Sequence, residues 1–133
     1  MKKDIKEYMQ ILEKQGIFHL VYTYKINKKT VKRKNKAGTI NTFYSGYMPE
    51  EIVEYFDVKD RTIYFYKYED EVRITSRRPT IEHQEIKLQK TNQFSIPRDF
   101  LNPEDAEKII LKLDLSKVDE YKNGLGVLSV MLI

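Results

Sequence analysis

The chain of 133 residues contains no cysteine and no tryptophan, and only two histidines. The lack of cysteine excludes disulfides and thiolate metal sites and is typical of an intracellular protein, so we expect a cytoplasmic one. The longest apolar run, residues 125–133, is far shorter than the roughly 20 residues that cross a membrane. The amino terminus also lacks the apolar segment of a signal peptide.

Motifs of catalysis are missing as well. The sequence has no glycine-rich phosphate loop, no nucleophile elbow and no histidine pair at helical spacing. The carboxylates of Asp99, Glu104 and Asp105 follow prolines at predicted helix starts, where capping explains them. We therefore expect no enzymatic activity, no cofactor, no metal and no small-molecule substrate.

Acidic residues are absent from one long stretch of a chain whose net charge is +4. No Asp or Glu occurs between Glu13 and Glu50, and the same stretch contains a series of basic residues: Lys25, Lys28, Lys29, Lys32, Arg33, Lys34 and Lys36. Such a patch can neutralise phosphates and release counterions. It can equally be a solvated strand edge whose lysines prevent aggregation. Four aromatic residues beside it could stack on bases: Tyr22, Tyr24, Phe43 and Tyr44.

The remaining pattern is mainly β, because ten tyrosines and many β-branched residues favour pleated, half-buried surfaces. Residues 1–16 form the exception, a predicted amphipathic helix that Gly16 ends. Its apolar stripe could pack on the domain or pair two molecules in a homodimer; the stripe consists of Ile5, Tyr8, Met9 and Leu12. Residues 17–26 alternate like a strand, and Asn27-Lys28-Lys29 predicts a turn after it.

One order of elements, strand, strand, helix, strand, strand, is predicted twice, in repeat 1 (30–78) and repeat 2 (86–133). In repeat 1 a helix is expected after Pro49 and a hairpin around Glu69-Asp70, and Ser45-Gly46 is expected to break a strand. In repeat 2, residues 86–90 and 93–96 are expected to pair, and residues 97–101 and 102–105 to start helical turns. A strand at residues 108–114 and a central strand at residues 125–133 are expected to follow. Residues 17–133 are therefore expected to form a single β domain.

The segment Lys90-Thr91-Asn92-Gln93-Phe94-Ser95-Ile96-Pro97-Arg98 resembles the turn and Ile-Pro signature of the SpoVT/AbrB-like swapped-hairpin family. Met48-Pro49-Glu50-Glu51-Ile52 resembles the next part of that family's pattern. Asn92 stands where the family commonly has glycine, and asparagine still permits the left-handed conformation. The resemblance implies a β-barrel in which two ββαββ units exchange hairpins and bind DNA. With both units on one chain, the expected fold is a single-chain pseudo-dimer.

Charge and resemblance together predict a small transcriptional regulator that binds double-stranded DNA through its basic hairpin turns. The residues expected to contact DNA are Lys32, Arg33, Lys34, Lys36, Lys90 and Arg98. Lys90 and Arg98 are included because of the resemblance, which places basic residues of this turn region against DNA. The alternative is a protein-interaction module, such as an antitoxin-like or mobile-element accessory protein, without DNA binding.

Overall fold

A computed structural model describes residues 10–12, 14–17, 19–32, 40–56, 58–114 and 128–133. Within these residues the protein is mainly β, as predicted, with a helical segment before the first strand and a short helix, α1 (Glu50–Tyr55), between the third and fourth strands. The strands are β1 (His19–Lys25), β2 (Asn27–Lys32), β3 (Ile40–Tyr47), β4 (Thr62–Tyr68), β5 (Glu71–Thr75), β6 (His83–Lys87), β7 (Gln93–Ser95), β8 (Lys108–Asp114) and β9 (Leu128–Leu132).

The strands form two antiparallel sheets. One has six strands in the order β1-β8-β9-β5-β4-β6, and the other has three in the order β2-β3-β7. In the part of the chain that the structure describes, neither sheet closes on itself, so the barrel implied by the family resemblance is not seen there. Residues 76–82 connect β5 to β6, where the two predicted repeats meet.

The core lies on one face of the six-stranded sheet, where alternate side chains of each strand point inward. Its fully buried members include Ile63, Phe65, Ile74, Ile109, Leu111, Leu113 and Leu128. Ile52 of α1 and Phe56, which directly follows the helix, are also buried, and Phe94 from the small sheet packs on Phe65 with 5.5 Å between ring centroids. β9 is central, as predicted, because it pairs with β5 on one side and β8 on the other.

The six-stranded sheet has the same arrangement on both sides of the β5–β9 pair. β8 carries β1 on its outer side, and β4 carries β6. Where β1 ends, Ile26 N donates to Glu107 O at 2.9 Å, and where β6 ends, Leu88 N donates to Arg61 O at 2.7 Å. Ile26 and Leu88 are both buried, and after each of them the chain passes into the small sheet.

The small sheet has reciprocal bonds too. Met48 N donates to Asn92 O at 2.9 Å, and Ile96 N donates to Tyr44 O at 3.0 Å. The donors Met48 and Ile96 are 48 residues apart, and so are the acceptors Tyr44 and Asn92. Backbone hydrogen bonds at corresponding positions therefore join the two halves.

The same correspondence extends to the segments that follow Pro49 and Pro97. Pro49 O accepts hydrogen bonds from the backbone N–H groups of Ile52 and Val53, at the start of α1. Pro97 O accepts equivalent bonds from Phe100 and Leu101, which close one turn without a longer helix. The helix predicted after Pro49 is confirmed. At residues 102–105, where a capped helical turn was expected, the chain forms a turn, and Glu104 N donates to Asn102 Oδ1 at 3.1 Å.

Two predicted interruptions of strands are wrong. Asn27-Lys28-Lys29 was expected to turn, yet these residues begin β2, because pairing with β3 satisfies one edge of their backbone and water the other. Ser45-Gly46 was expected to end a strand, yet β3 continues to Tyr47. The missing side chain of Gly46 makes room for Phe94 of β7.

The predicted pairing of residues 86–90 with 93–96 is also wrong. β6 pairs with β4 in the large sheet, whereas β7 pairs with β3 in the small one. The reason is that the chain changes sheets at the buried Leu88, so the five residues between β6 and β7 do not fold one strand back on the other.

At the amino terminus, residues 10–12 and 14 are helical, Leu12 lies in the core, and Gly16 ends the helix with a φ of 79°. Most of the predicted apolar stripe lies outside the described residues, as do residues 1–9. Among the residues described, no helix is long and apolar enough to cross a membrane.

Candidate nucleic-acid interface

The small sheet presents a two-stranded basic ribbon, formed by β2 and residues 40–45 of β3. In the ribbon Lys28 lies opposite Tyr44, and Lys29 lies opposite Phe43. Because successive side chains of a strand point to opposite faces, each face of the ribbon carries one lysine paired with one aromatic ring. β2 is an edge strand, so both lysines are exposed.

The first face holds a basic cluster of three residues, Lys28, Tyr44 and Arg98. Lys28 Nζ lies 5.8 Å from the centroid of the Tyr44 ring, and Arg98 Cζ lies 5.3 Å from it. Arg98 Nη2 also donates to the backbone oxygen of Thr42 at 3.2 Å, which fixes the guanidinium against β3. The aromatic ring thus holds two cations near each other at the surface, where they can meet an anionic ligand.

The second face holds Lys29 and Phe43. Phe43 is 49% exposed, which leaves much of its ring available for stacking on a base or for another partner. Tyr47, four residues further along β3, lies on the same face. Its ring packs edge-on against that of Tyr24, with 5.0 Å between the ring centroids.

Of the four aromatic residues expected to stack on bases, Phe43 is the best placed. Tyr22 Oη donates to Glu51 Oε2 at 2.7 Å, and Tyr24 is held against Tyr47. Burial raises the pKa of the Tyr24 hydroxyl, with smaller contributions from Tyr47 and the Glu51 carboxylate. Both tyrosines therefore serve packing between β1, β3 and α1.

Only some of the predicted DNA contacts lie within the described residues. Lys32 ends the described ladder, with its backbone opposite Ile40, and its side chain is not described. Arg33, Lys34 and Lys36 lie outside the described residues. Arg98 joins the ribbon through Tyr44 and Thr42, a partnership that the sequence did not reveal.

Lys90 lies in the turn between β6 and β7 and is exposed. In this turn Asn92 adopts the left-handed conformation, with a φ of 64°, as its sequence predicted. The buried Asn92 side chain donates to Glu50 Oε2 at 2.7 Å and accepts from Arg61 Nη2 at 2.6 Å. Arg61 also donates to the backbone oxygens of Leu88 and Gln89, so it binds the whole turn.

Lys90 and Arg98 are not brought together. The Lys90 turn is bound through Asn92 O to Met48, directly after β3, whereas Arg98 is bound to β3 at Thr42. At about 3.3 Å per residue, the six-residue step along β3 separates these two attachment points by roughly 20 Å. The two residues therefore lie near opposite ends of β3, and only Arg98 is beside the ribbon.

A polar cleft of about 570 Å³ lies beside β4 and β6. Its lining includes the cations of Lys59, Arg61 and Lys87, but also the carboxylates of Asp60 and Glu85. Arg61 is already bonded to the Lys90 turn, and the two carboxylates would repel phosphate. The ribbon is therefore the better surface for a polyanion.

Comparisons of the chain with models of protein families, with curated proteins and with solved structures find no match in any of the three. The resemblance to the AbrB-like family remains a prediction from the residues that carry it. Function is therefore inferred from the surface of this chain alone.

Proposed function

We propose that the protein binds double-stranded DNA through the basic ribbon and acts as a small transcriptional regulator. The observation that carries this proposal is the basic cluster on an exposed ribbon, in a stretch from residue 14 to residue 49 without a single acidic residue. A two-stranded β-ribbon fits the major groove of B-DNA, and its lysines would position phosphates. The predicted contacts Lys32, Arg33, Lys34 and Lys36 follow Lys28 and Lys29 in the sequence.

We further propose that the two halves are related units of the swapped-hairpin kind, which is the fold implied by the AbrB-like resemblance. The reciprocal bonds of Ile26 with Glu107 and of Leu88 with Arg61 support it. In this proposal β1 corresponds to β6, because each is the outer neighbour of corresponding strands. The first unit then begins at β1, whereas repeat 1 was predicted to begin at residue 30. In this proposal β2 belongs to a segment added to the first unit.

The test is a titration of a random-sequence duplex, with binding followed by fluorescence anisotropy at several salt concentrations. Replacing Lys28 and Lys29 with Ser should weaken binding to every sequence and reduce the slope of log K against log salt by roughly 0.9 per lost phosphate contact. The matched control replaces Lys67 and Lys112, two exposed lysines of the six-stranded sheet, and should leave the slope unchanged. An unchanged slope in both variants, with intact circular dichroism, would refute DNA binding by the ribbon.

One observation favours the alternative of a protein-interaction module. Three apolar side chains on the outward side of the β1-β8-β9 region are exposed, namely Val21 (60%), Met131 (55%) and Ile133 (56%). Exposed apolar surface of this kind often marks a contact with another protein. Substituting Met131 with Asp and measuring molar mass by light scattering tests self-association. The alternative would be favoured if the unmodified protein did not bind DNA and if a partner protein bound it but not the Met131→Asp variant.

A further inference from the structure

The basic ribbon has no counterpart at the corresponding place in the second half, between Leu88 and Asn92. Ile26 and Leu88 occupy corresponding positions, because each donates to the residue before a corresponding strand, and so do Tyr44 and Asn92. Between these positions the first half has residues 27–43, whereas the second half has only residues 89–91. The ribbon is therefore an addition to one half of an otherwise reciprocal structure.

The charge beside the ribbon is also not repeated. The shift of 48 residues that relates Tyr44 to Asn92 relates Glu50 to Arg98. On the ribbon side, Arg98 lies against the Tyr44 ring, with Cζ 5.3 Å from its centroid. On the other side, Glu50 Oε2 accepts a hydrogen bond from Asn92 Nδ2 at 2.7 Å. One structural position thus holds a cation next to the ribbon and a carboxylate next to the short turn.

We propose that each chain presents a single nucleic-acid interface, on the ribbon side, and binds an asymmetric duplex segment in one orientation. This inference rests on the proposed function. Symmetric DNA-binding dimers present two equal reading elements, and their sites are palindromic for that reason. Here the two sides differ at the surface that would contact DNA, because Lys28, Lys29 and Arg98 lie on the ribbon side and Glu50 lies on the side of the short turn.

The first test compares the two sides directly, again by titration of a random-sequence duplex at about 0.1 M salt. Replacing Lys28 and Lys29 with Ser should weaken binding on the order of tenfold or more, because two phosphate contacts are lost. Replacing Lys87 and Lys90 with Ser, on the side of the short turn, should change it less than twofold. Equal losses in both variants would overturn the inference while leaving DNA binding intact. No binding by the unmodified protein would refute the proposed function itself.

The second test makes the two halves alike. Residues 26–44 are replaced with the sequence Leu88-Gln89-Lys90-Thr91-Asn92, which closes the corresponding gap in the second half. A folded variant, as judged by circular dichroism and thermal unfolding, should lose duplex binding, and retained binding would overturn the inference. If this variant does not fold, the serine variants still decide.

The third test reads the symmetry of the site. Duplexes selected by the unmodified protein from a random library should share a motif without twofold symmetry. A palindromic motif would overturn the inference, because it requires two equivalent interfaces.

Discussion

At the scale of single residues, Gly46 shows how closely the two halves meet. It lies in β3 opposite Phe94 of β7, at the midpoint of the pairing between these strands. A Cβ atom there would lie 2.8 Å from Phe94 Cζ and 2.9 Å from Ile109 Cδ1. The sequence predicted a strand break at this glycine, since nothing near it in the chain indicates that a ring from the other half needs the space.

Gly46→Ala should therefore destabilise the protein by about 1–3 kcal/mol, the usual cost of overpacking a core. The free energy of unfolding is measured by urea denaturation. Ser95→Ala is the control, because Ser95 is exposed on the neighbouring strand at almost the same register, and it should change stability by less than about 0.5 kcal/mol. Equal stability of the alanine variant at Gly46 and the unmodified protein would mean that the two strands separate more easily than their pairing indicates.

Tyr24 gives a second prediction at this scale. Burial raises the pKa of its hydroxyl above the ordinary value of 10.0, so the unfolded chain ionises at this residue before the folded protein does. The protonated hydroxyl contributes no pH dependence below pH 10, and stability falls as the pH rises from there through the folded pKa. Tyr24→Phe should remove this loss while keeping the ring contact with Tyr47.

Thermal unfolding of both proteins between pH 8 and pH 11 checks this prediction. The midpoint of the Phe variant should gain on that of the unmodified protein only above about pH 10. Parallel curves over the whole range would show that Tyr24 ionises equally easily in the folded and unfolded states.

At the scale of elements, the sequence was most informative where local chemistry decides the structure. Glu69 and Asp70 both have positive φ, 50° and 66°, and close the predicted hairpin. The strand at 108–114 and the helix after Pro49 were predicted because alternation and helix-start signals lie within each segment. The pairing of β6 and β7 was wrong because it depends on Leu88 contacting Arg61 far away in the chain.

The turn that holds Lys90 can be tested through Asn92. Replacing Asn92 with Ala should destabilise the protein by about 1–3 kcal/mol, because the buried Asn92 side chain loses its hydrogen bonds with Glu50 and Arg61 while the backbone keeps the unfavourable φ of 64°. Asn92→Gly loses the same hydrogen bonds but tolerates this φ. The glycine variant should be more stable than the alanine variant by about 1 kcal/mol in urea denaturation. The opposite order would show that the turn changes conformation when the side chain is lost.

At the scale of the whole molecule, the charge distribution was readable from the sequence and the grouping of charges was not. The acid-free stretch identified the ribbon, because a series of lysines without acidic residues can be recognised in the sequence without knowledge of the fold. Arg98 comes from the second half and reaches the ribbon only because β7 pairs with β3. Lys90, eight residues earlier in the same segment, lies toward the other end of β3 for the same reason.

The reciprocal pairing also makes the two halves one folding unit. Four strand pairs join a strand of one half to a strand of the other: β1 with β8, β4 with β6, β5 with β9, and β3 with β7. Neither half can keep its sheet when the other unfolds, so we expect one cooperative transition. Calorimetry should give equal calorimetric and van't Hoff enthalpies.

Leu128→Ala tests this coupling. Leu128 is fully buried in β9 opposite Ile74 of β5, and its truncation should cost about 2–5 kcal/mol through the cavity it leaves. Because the halves unfold together, amide exchange at Phe65 in β4 and at Leu111 in β8 should accelerate by the same factor. Met131→Ala, at a position 55% exposed on the same strand, is the control and should change neither rate much. Acceleration at Leu111 alone would show that the second half opens independently, and the shared core would then not be the unit that folds.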